Sequence, residues 1–300
     1  MSEDSFILDN TINPMQPTFS GENPNAAINA AVELWCSNPT EATNRYGHIR
    51  DWNVSNITNM SNLFSGKKEF SDDISGWDVS KVTNMKAMFF GAESFNAPIG
   101  NWDVSKVTNM KAMFNQAEAF NAPIGNWDVS KVTNMKAMFY KAEAFNQPIG
   151  DWDVSSVTDM GYMFLSASAF NQPISDWDVS SVTDMGYMFT HAIAFNQPIS
   201  DWDVSSVTDM DYMFFGAESF NQDLRKWNVS NVTDMDYMFT APMSSSGNEP
   251  VFPPRGGKNT RRTKRNRKNA ARSKKQHNRK NKHNKSHKAK RTTRSRHSLC

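Results

Sequence analysis

The sequence has little of what enzymes and disulfide-linked domains are built from. Its 300 residues include only two cysteines, Cys36 and Cys300, and they contain no Cys-x-x-Cys pair and no glycine-rich phosphate loop. Two cysteines so far apart exclude a disulfide framework. Four of the six histidines lie after residue 276, where the chain is dominated by lysine and arginine. The sequence therefore predicts a protein that is not an enzyme and that takes no cofactor and no metal.

Long apolar runs are also missing. No stretch approaches the 18 or so apolar residues that a membrane-spanning helix needs. The opening "MSEDSFILDN" carries acidic residues and no apolar segment of signal-peptide length. These absences favour an intracellular location, including the nucleus, or a place in a virion, over secretion.

What the sequence has instead is a 25-residue phrase that repeats. Nine tryptophans occur, and eight of them follow one another at a fixed 25-residue step. A fixed period between 20 and 50 residues is typical of solenoids, propellers and other arrays. Eight copies occupy residues 46–241, and their tryptophans are Trp52, Trp77, Trp102, Trp127, Trp152, Trp177, Trp202 and Trp227.

Within each copy the apolar spacing changes halfway. In the third copy, residues 99–105 have the short β-branched pattern of a strand. The phrase "MKAMFNQA" (110–117) then places apolar residues at i, i+3, i+4 and i+7, which is one face of a helix, and Thr108 precedes it as a candidate N-cap. Each copy is therefore predicted to hold a short strand, a corner, a two-turn helix and a return loop.

Stacking of such units predicts an α/β solenoid. A propeller is the alternative at this period, but each of its blades needs four strands, which a 25-residue unit cannot supply beside a helix. One copy alone buries too little apolar surface to offset the ordering of its backbone, so stability comes from the interfaces between copies. Fifteen of the 18 methionines recur at two positions of the phrase. We interpret them as stacked core residues rather than as a soft-metal or adaptable binding strip.

The aspartate of "WDVS" forms another column. It recurs in six copies, and glycine-rich β-roll repeats bind calcium with aspartate columns. The loops here lack the glycine pairs and alternating aspartates of such sites, so we expect these carboxylates to accept hydrogen bonds from backbone groups at the corners. The six residues are Asp78, Asp103, Asp128, Asp153, Asp178 and Asp203.

The phrase "FNQPIGDWDVSSVTDMGYMF" resembles the repeat of the BspA-like leucine-rich-repeat surface proteins, also described as mycoplasma lipoprotein-type 25-residue repeats. The resemblance covers about two-thirds of the chain. It implies a leucine-rich-repeat-like, right-handed stack of eight 25-residue strand-helix coils that binds proteins or surfaces without catalysis. Members of the family are often lipoproteins or wall-anchored proteins.

The residues before the repeats predict a cap. Residues 1–24 form an N-terminal extension, and residues 25–45 predict an N-terminal helical cap that begins with Asn25 as the capping residue. A solenoid needs such a cover over its first copy. The apolar face that would provide it follows the spacing i, i+3, i+4 and i+7 and consists of Ile28, Ala31, Val32 and Trp35.

The residues after the repeats differ sharply in charge. Residues 255–300 hold 20 of the 33 lysines and arginines and no acidic residue. The remaining 13 basic and all 31 acidic residues give residues 1–254 a formal charge of −18. Residues 242–257 have the composition of a linker, and residues 258–300 are predicted to be a disordered basic C-terminal tail.

Two classes of function fit these features. In the first, the chain is an interaction scaffold that binds an unknown protein or surface ligand through apolar residues just after the recurrent Met-Phe pair, namely Phe90, Tyr140, Leu165 and Phe215. The alternative interpretation of those residues is partial packing between neighbouring copies. In the second class, the chain is a nucleic-acid-associated protein of the nucleus or a virion. Its tail would contact nucleic acid or another polyanion, through Arg261, Arg262, Lys264, Arg265, Arg267, Lys268, Arg272, Lys274 and Lys275.

Overall fold

The structure, a computed structural model, describes residues 19, 23–240 and 247–251. Two helices precede the repeats: α1 is Pro24–Ser37 and α2 is Pro39–Tyr46. A 3-10 turn, Ile49–Asp51, leads into the first copy. Helix α1 begins earlier than expected because Asn23, and not Asn25, is its N-cap: the Asn23 side chain accepts a hydrogen bond from the Ala26 N–H at 3.0 Å.

Asn38 joins the two helices. Its backbone N–H closes α1 on the Leu34 carbonyl, and its side chain accepts from the Glu41 N–H at 3.2 Å to open α2. The predicted helical cap is therefore two short helices that share one capping residue. The predicted apolar face of α1 is confirmed, since Ile28, Ala31, Val32 and Trp35 are its buried residues.

The cap covers the first copy with both apolar and polar contacts. The ring of Trp35 packs edge-on against Trp52, with 6.0 Å between ring centroids. The Asn25 side chain accepts from the Asn59 backbone N–H at 3.3 Å, so the residue expected to cap the helix pairs instead with the edge of the first copy. Trp35 also donates its indole N–H to Asp72 at 2.8 Å. The outer side of the first copy is thus covered by the cap.

Successive copies pair in register at the 25-residue step. Single-residue parallel bridges join each copy to the next, from Asn59 with Asn84 through to Asp209 with Asp234. In the third copy the N–H groups of every second residue donate to the fourth copy: Met110 to Asn134 at 3.0 Å, and Phe114 to Met138 at 2.9 Å. The copies of the described array are therefore stacked, each hydrogen-bonded to its neighbours.

The helix predicted at residues 110–117 is wrong. The structure has consecutive tight turns there, in which the Met113 N–H donates to the Met110 carbonyl and the Ala117 N–H to that of Phe114, both at 3.1 Å. Ala112 and Gln116 have φ of 56° and 60°, a left-handed conformation that an α-helix cannot include. The turns return the two methionines and the phenylalanine to the same side of the chain, so they reproduce the apolar spacing of a helix.

The strand predicted at residues 99–105 is also wrong. Two turns occupy this region, with the Trp102 N–H donating to the Ile99 carbonyl and the Val107 N–H to that of Val104. Thr108 caps no helix: its hydroxyl and its N–H both donate to the carbonyl of Thr83 in the preceding copy. The repeats of the described chain are thus built from turns and single-residue bridges, and the α/β solenoid stays a prediction. The right-handed, leucine-rich-repeat-like stack stays a prediction.

The recurrent apolar residues form one continuous core. Trp127, Met110, Met113 and Phe114 are each at most 3% exposed, and the equivalent residues of neighbouring copies are buried in the same way. Each tryptophan from the second copy onward donates its indole N–H to an isoleucine carbonyl of the preceding copy, as Trp127 does to Ile99 at 3.1 Å. The interpretation of the methionines as stacked core residues is confirmed.

Residues 247–251 cover part of the last copy. The Leu224 N–H donates to the Asn248 carbonyl at 2.8 Å, and the Asn248 amide reaches the Asn221 carbonyl at 3.5 Å. Pro250 is buried. The chain divides at Phe252–Pro253, and the tail lies beyond that division, outside the described residues. Within residues 19–251 as described, no helix is long and apolar enough to cross a membrane.

Candidate functional site

The segment with the consecutive turns carries the residues that change most from copy to copy. In the third copy it is Met110–Ala117, and we call this segment and its equivalents the turn face. Its methionines, its phenylalanine and Ala117 are buried, whereas Lys111, Ala112 and Gln116 are partly exposed. The recurrent residues of the turn face therefore build the core, and the variable ones of this copy, apart from the buried Asn115, are partly exposed to solvent.

The four apolar residues predicted to bind a partner lie on the turn face but do not form an unbroken strip. Phe90 is 37% exposed, and Tyr140, Leu165 and Phe215 are half-buried. The same position holds Asn115 and Thr190 in other copies, and these two are buried at 9% and 6% exposure. The four candidates are thus separate partly exposed residues, and their binding role stays a prediction.

Contacts on the turn face favour partial packing for some of these residues. The ring of Phe215 lies edge-on to Tyr212 and to His191, with centroid separations of 5.4 and 5.6 Å. The Lys141 ammonium lies 5.6 Å from the centroid of the Tyr140 ring. These side chains are the ones to which both interpretations made from the sequence apply: packing between copies and binding of a partner.

A tyrosine ladder on the N-terminal side of this position was not anticipated from the sequence. Tyr162, Tyr187, Tyr212 and Tyr237 stack on one another with ring centroids 4.7, 4.8 and 5.0 Å apart. All four are partly exposed and have φ near 60°. The signal was present in the sequence, because the position holds asparagine or alanine in the first four copies and tyrosine in the last four.

Aspartates run alongside the tyrosine ladder. Asp159, Asp184, Asp209 and Asp234 occupy the bridge position of the last four copies, where the earlier copies have asparagine. Each of the first three accepts from a backbone N–H two residues later, as Asp184 does from Gly186 at 2.9 Å. The change from asparagine to aspartate keeps this acceptor in the first three of these copies and adds a carboxylate to each of the last four.

Lys136 shows how a cation sits on this surface. Its ammonium lies 2.8 Å from an Asp184 oxygen, 3.5 Å from an Asp159 oxygen and 5.6 Å from the centroid of the Tyr162 ring. Burial alone would lower the pKa of Lys136, but the hydrogen bond and the charges of Asp184 and Asp159 outweigh it and raise the pKa. One lysine therefore contacts two carboxylates and an aromatic face.

The copies after that of Lys136 have no lysine at the same position. The equivalents of Lys136 are Gly161, Gly186 and Asp211, and among the described residues neither Asp209 nor Asp211 forms an ion pair. Burial raises the pKa of both carboxyls, and neighbouring aspartates add to the rise. Burial, with the adjacent tyrosines, raises the pKa of Tyr187 to about 12. This end of the described array concentrates negative charge beside stacked rings.

The column of "WDVS" aspartates has the structural role expected of it. Asp103 accepts from the Ser105 N–H at 3.1 Å, and the other five aspartates make the same contact. This serine hydrogen bond lowers the pKa of Asp103. Over the residues that the structure describes, no group of three or more histidines, cysteines or acidic residues is arranged to hold a metal ion.

A cavity of about 460 Å³ lies between the end of α1 and the first copy. Its lining includes Trp35, Cys36, Lys67 and Asp72. Burial raises the pKa of the Cys36 thiol to about 11, so the thiol is protonated near neutral pH and a poor nucleophile. The basic residues predicted to bind polyanions, from Arg261 to Lys275, lie outside the described residues.

These features define a tandem-repeat protein with copies stacked in register around a continuous aromatic and methionine core. The chain belongs to the family described as "Mycoplasma protein of unknown function, DUF285", whose model matches residues 36–151 and 138–250. The predicted resemblance to mycoplasma-type repeats is confirmed at the level of this repeat family. Comparison with curated proteins and with solved structures gives no match.

Proposed function

We propose that the chain is a non-catalytic interaction scaffold. In this proposal the repeats form a leucine-rich-repeat-like, right-handed solenoid that binds a protein or surface ligand, and the basic tail contacts an anionic polymer. The observation that carries the proposal is the division of the turn face: its recurrent methionines and phenylalanine build the core, and the residues that differ between copies are mostly partly exposed, with buried exceptions such as Asn115 and Thr190. Stacking of the copies requires the core residues and constrains the variable residues much less.

The contacts between copies support this division. Tryptophan, threonine and asparagine side chains all bond to the neighbouring copy: the Thr108 hydroxyl donates to the Thr83 carbonyl at 3.3 Å, and the Asn96 side chain accepts from the Asn121 backbone N–H at 2.8 Å. These residues already have a structural use. The residues that differ between copies, such as Phe90, Tyr140 and Phe215, are those that a ligand could contact. Membership of the BspA-like surface proteins is part of this proposal, and the quoted repeat phrase supports it.

Capture experiments with the full chain test the scaffold. The triple variant Phe90→Ser/Tyr140→Ser/Phe215→Ser is compared with the parent for the proteins retained from a lysate of the source cell. A matched control, Lys81→Ser/Lys106→Ser, changes exposed residues away from the turn face. We expect the triple variant to lose the retained protein while its melting temperature stays within a few degrees. An unchanged retained set would contradict the proposal, and so would a melting temperature that falls together with binding.

A second candidate function rests on the tail. Its 19 basic residues without an acidic one favour binding to nucleic acid in the nucleus or in a virion. If about eight of them contact phosphates, log K should fall against log salt concentration with a slope near −7. Fluorescence anisotropy of a labelled DNA duplex with the full chain, and with residues 258–300 deleted, measures this slope. Undiminished binding after the deletion would exclude the tail as the contact.

A further inference from the structure

We propose that the turn face binds a second molecule of this protein, turned end for end, to form a two-fold symmetric dimer. The inference rests on the proposed function, because it names a partner for the same surface. In this dimer the second copy of one molecule opposes the seventh copy of the other, the third opposes the sixth, and the fourth opposes the fifth. A two-fold axis makes each contact occur twice, so such a surface has to be complementary to itself. Charge, side-chain size and polarity along the turn face all meet this requirement.

The two halves of the turn face carry opposite charges. Copies two to four have a lysine there and asparagine at the bridge position, whereas the last four copies have aspartate at the bridge position and no lysine. Lys86 is exposed, Asp209 and Asp211 are partly exposed, and within the described residues none of the three forms an ion pair. End-for-end pairing places Lys86 against both aspartates of the other molecule. A partner of a single charge would match only half of the turn face, whereas a second molecule matches both halves.

Small side chains would face large ones in the same arrangement. The column that holds the tyrosine ladder in the last four copies holds alanine in copies two to four. The tyrosine rings stack on one another within the molecule, so the dimer brings only their outer edges against the alanines. In the column of Lys86, Gly186 of the sixth copy would face Lys111 of the third. The facing alanines and tyrosines are Ala87 with Tyr212, Ala112 with Tyr187 and Ala137 with Tyr162.

The variable position after the recurrent Met-Phe pair has the same polarity pattern in both directions. From copy two to copy seven it holds Phe90, Asn115, Tyr140, Leu165, Thr190 and Phe215. End-for-end pairing therefore sets Phe90 against Phe215 and sets Tyr140 against Leu165, while the two polar residues face each other. Phe90 is 37% exposed and Phe215 is half-buried, so both would lose contact with water in the dimer. The interrupted order of the apolar residues is thus what a two-fold symmetric interface requires.

The array has no sharp bend between the copies that would meet. From Phe89 to Phe214 the buried phenylalanine rings follow one another at 5.6–5.7 Å, and each ring plane is tilted by only 3–9° from the one before. Lys136 lies beside the two-fold axis, between copies four and five, and pairs with Asp159 and Asp184 of its own molecule. The ion pairs between molecules are therefore those of the outer copies.

Sedimentation velocity of the full chain at about 0.15 M salt tests the dimer, because exposed charges more than about 8 Å apart are largely screened there. The mass of one chain is 34.0 kDa, and we expect twice that mass in solution. A chain that stays monomeric at about 100 μM would overturn the proposal.

Two charge reversals at one contact test the orientation. Lys86→Glu and Asp211→Lys should each weaken dimerisation at least about fivefold, because each sets like charges against one another at both symmetric contacts. An equimolar mixture of the two variants should form dimers again, because both contacts of the mixed dimer then join opposite charges. Positions 86 and 211 lie five copies apart in one molecule, so no contact within a molecule can produce this recovery. The control Lys106→Glu reverses an exposed lysine away from the turn face and should stay within about twofold of the parent.

The mixture decides between explanations, and thermal melts confirm that each variant is folded. Recovery of the dimer in the mixture alone supports the end-for-end contact, and failure to recover would overturn it. Equal weakening by Lys106→Glu and Lys86→Glu would show general charge attraction and would also overturn it. A monomeric parent that still captures another protein through the turn face would remove this inference and leave the scaffold proposal standing. A dimer that captures no other protein would leave the dimer standing and contradict the binding of a further ligand.

Discussion

Replacing Trp127 by alanine tests the core of the repeat array. The indole of Trp127 is 3% exposed, and its N–H donates to the Ile99 carbonyl of the preceding copy at 3.1 Å. Its ring also lies 6.3 Å from that of Phe114. Substitution of a large buried aromatic residue by alanine costs about 3–5 kcal/mol of folding free energy. The loss should spread to neighbouring copies, because each copy is stable only against its neighbours.

A second substitution at Trp127 and a surface control show how the lost folding free energy divides between the buried ring and its hydrogen bond. Trp127→Phe keeps most of the buried ring but leaves the Ile99 carbonyl without its donor, which should cost about 1–3 kcal/mol. Lys131→Ala changes an exposed side chain one turn away and should stay within about 0.5 kcal/mol of the parent. The expected order of destabilisation is therefore Trp127→Ala, then Trp127→Phe, then Lys131→Ala.

Urea denaturation of the full chain, followed by circular dichroism and by tryptophan fluorescence, measures these changes. Repeat arrays can unfold in stages, so coincidence of the two signals shows whether one free energy of unfolding describes the transition. Equal midpoints for Trp127→Ala and Lys131→Ala would refute the reasoning, because a tryptophan column that can lose its indole at no cost is not the core.

Two other predictions concern charge and backbone conformation. Asp209 and Asp211 have pKa values raised by folding, so their stabilising contribution is complete below the unfolded pKa near 3.9 and is lost as pH rises through the folded pKa. Asp209→Asn/Asp211→Asn should therefore raise the melting temperature at pH 7, with the difference from the parent disappearing near pH 3; a lower melting temperature at pH 7 would contradict this sign. Ser166 has φ of 57°, and Gly91 and Gly216 hold the same position in other copies, so Ser166→Gly should stabilise the chain by up to about 1 kcal/mol while Ser156→Gly destabilises it in the same thermal melt. Destabilisation by both serine substitutions would show that the left-handed conformation carries no strain at Ser166.

The sequence predicted what depends on burial and missed what depends on backbone conformation. The tryptophan period, the methionine core and the apolar face of α1 follow from side-chain chemistry, and the structure has all three. The helix at residues 110–117 failed because alternating turns place apolar residues on one side at the same spacing as a helix. Nothing in the local pattern at Ala112 indicates a positive φ, since alanine favours helices in general.

The tyrosine ladder was not predicted from the sequence for a related reason. The partners of Tyr187 in the ladder, Tyr162 and Tyr212, lie one whole copy away in either direction, and they become neighbours only when the copies stack in register. A search within one copy finds a lone tyrosine beside a glycine. The four predicted apolar residues share a position in the phrase, but the buried Asn115 and Thr190 at that position show that its environment differs between copies.

The hydrogen bonds between copies have a consequence for the length of the protein. The third copy offers the fourth the same donors that the second offers the third, for example Met85 to Asn109 at 3.0 Å and Met110 to Asn134 at 3.0 Å. Removal or insertion of one whole 25-residue unit would therefore join two surfaces that already match. The length of the repeat array can change in steps of about 4.8 Å, the usual spacing of paired chains. The same segments would still cover the first and last copies. Recombination within the coding sequence could therefore lengthen or shorten this protein by one 25-residue copy at a time.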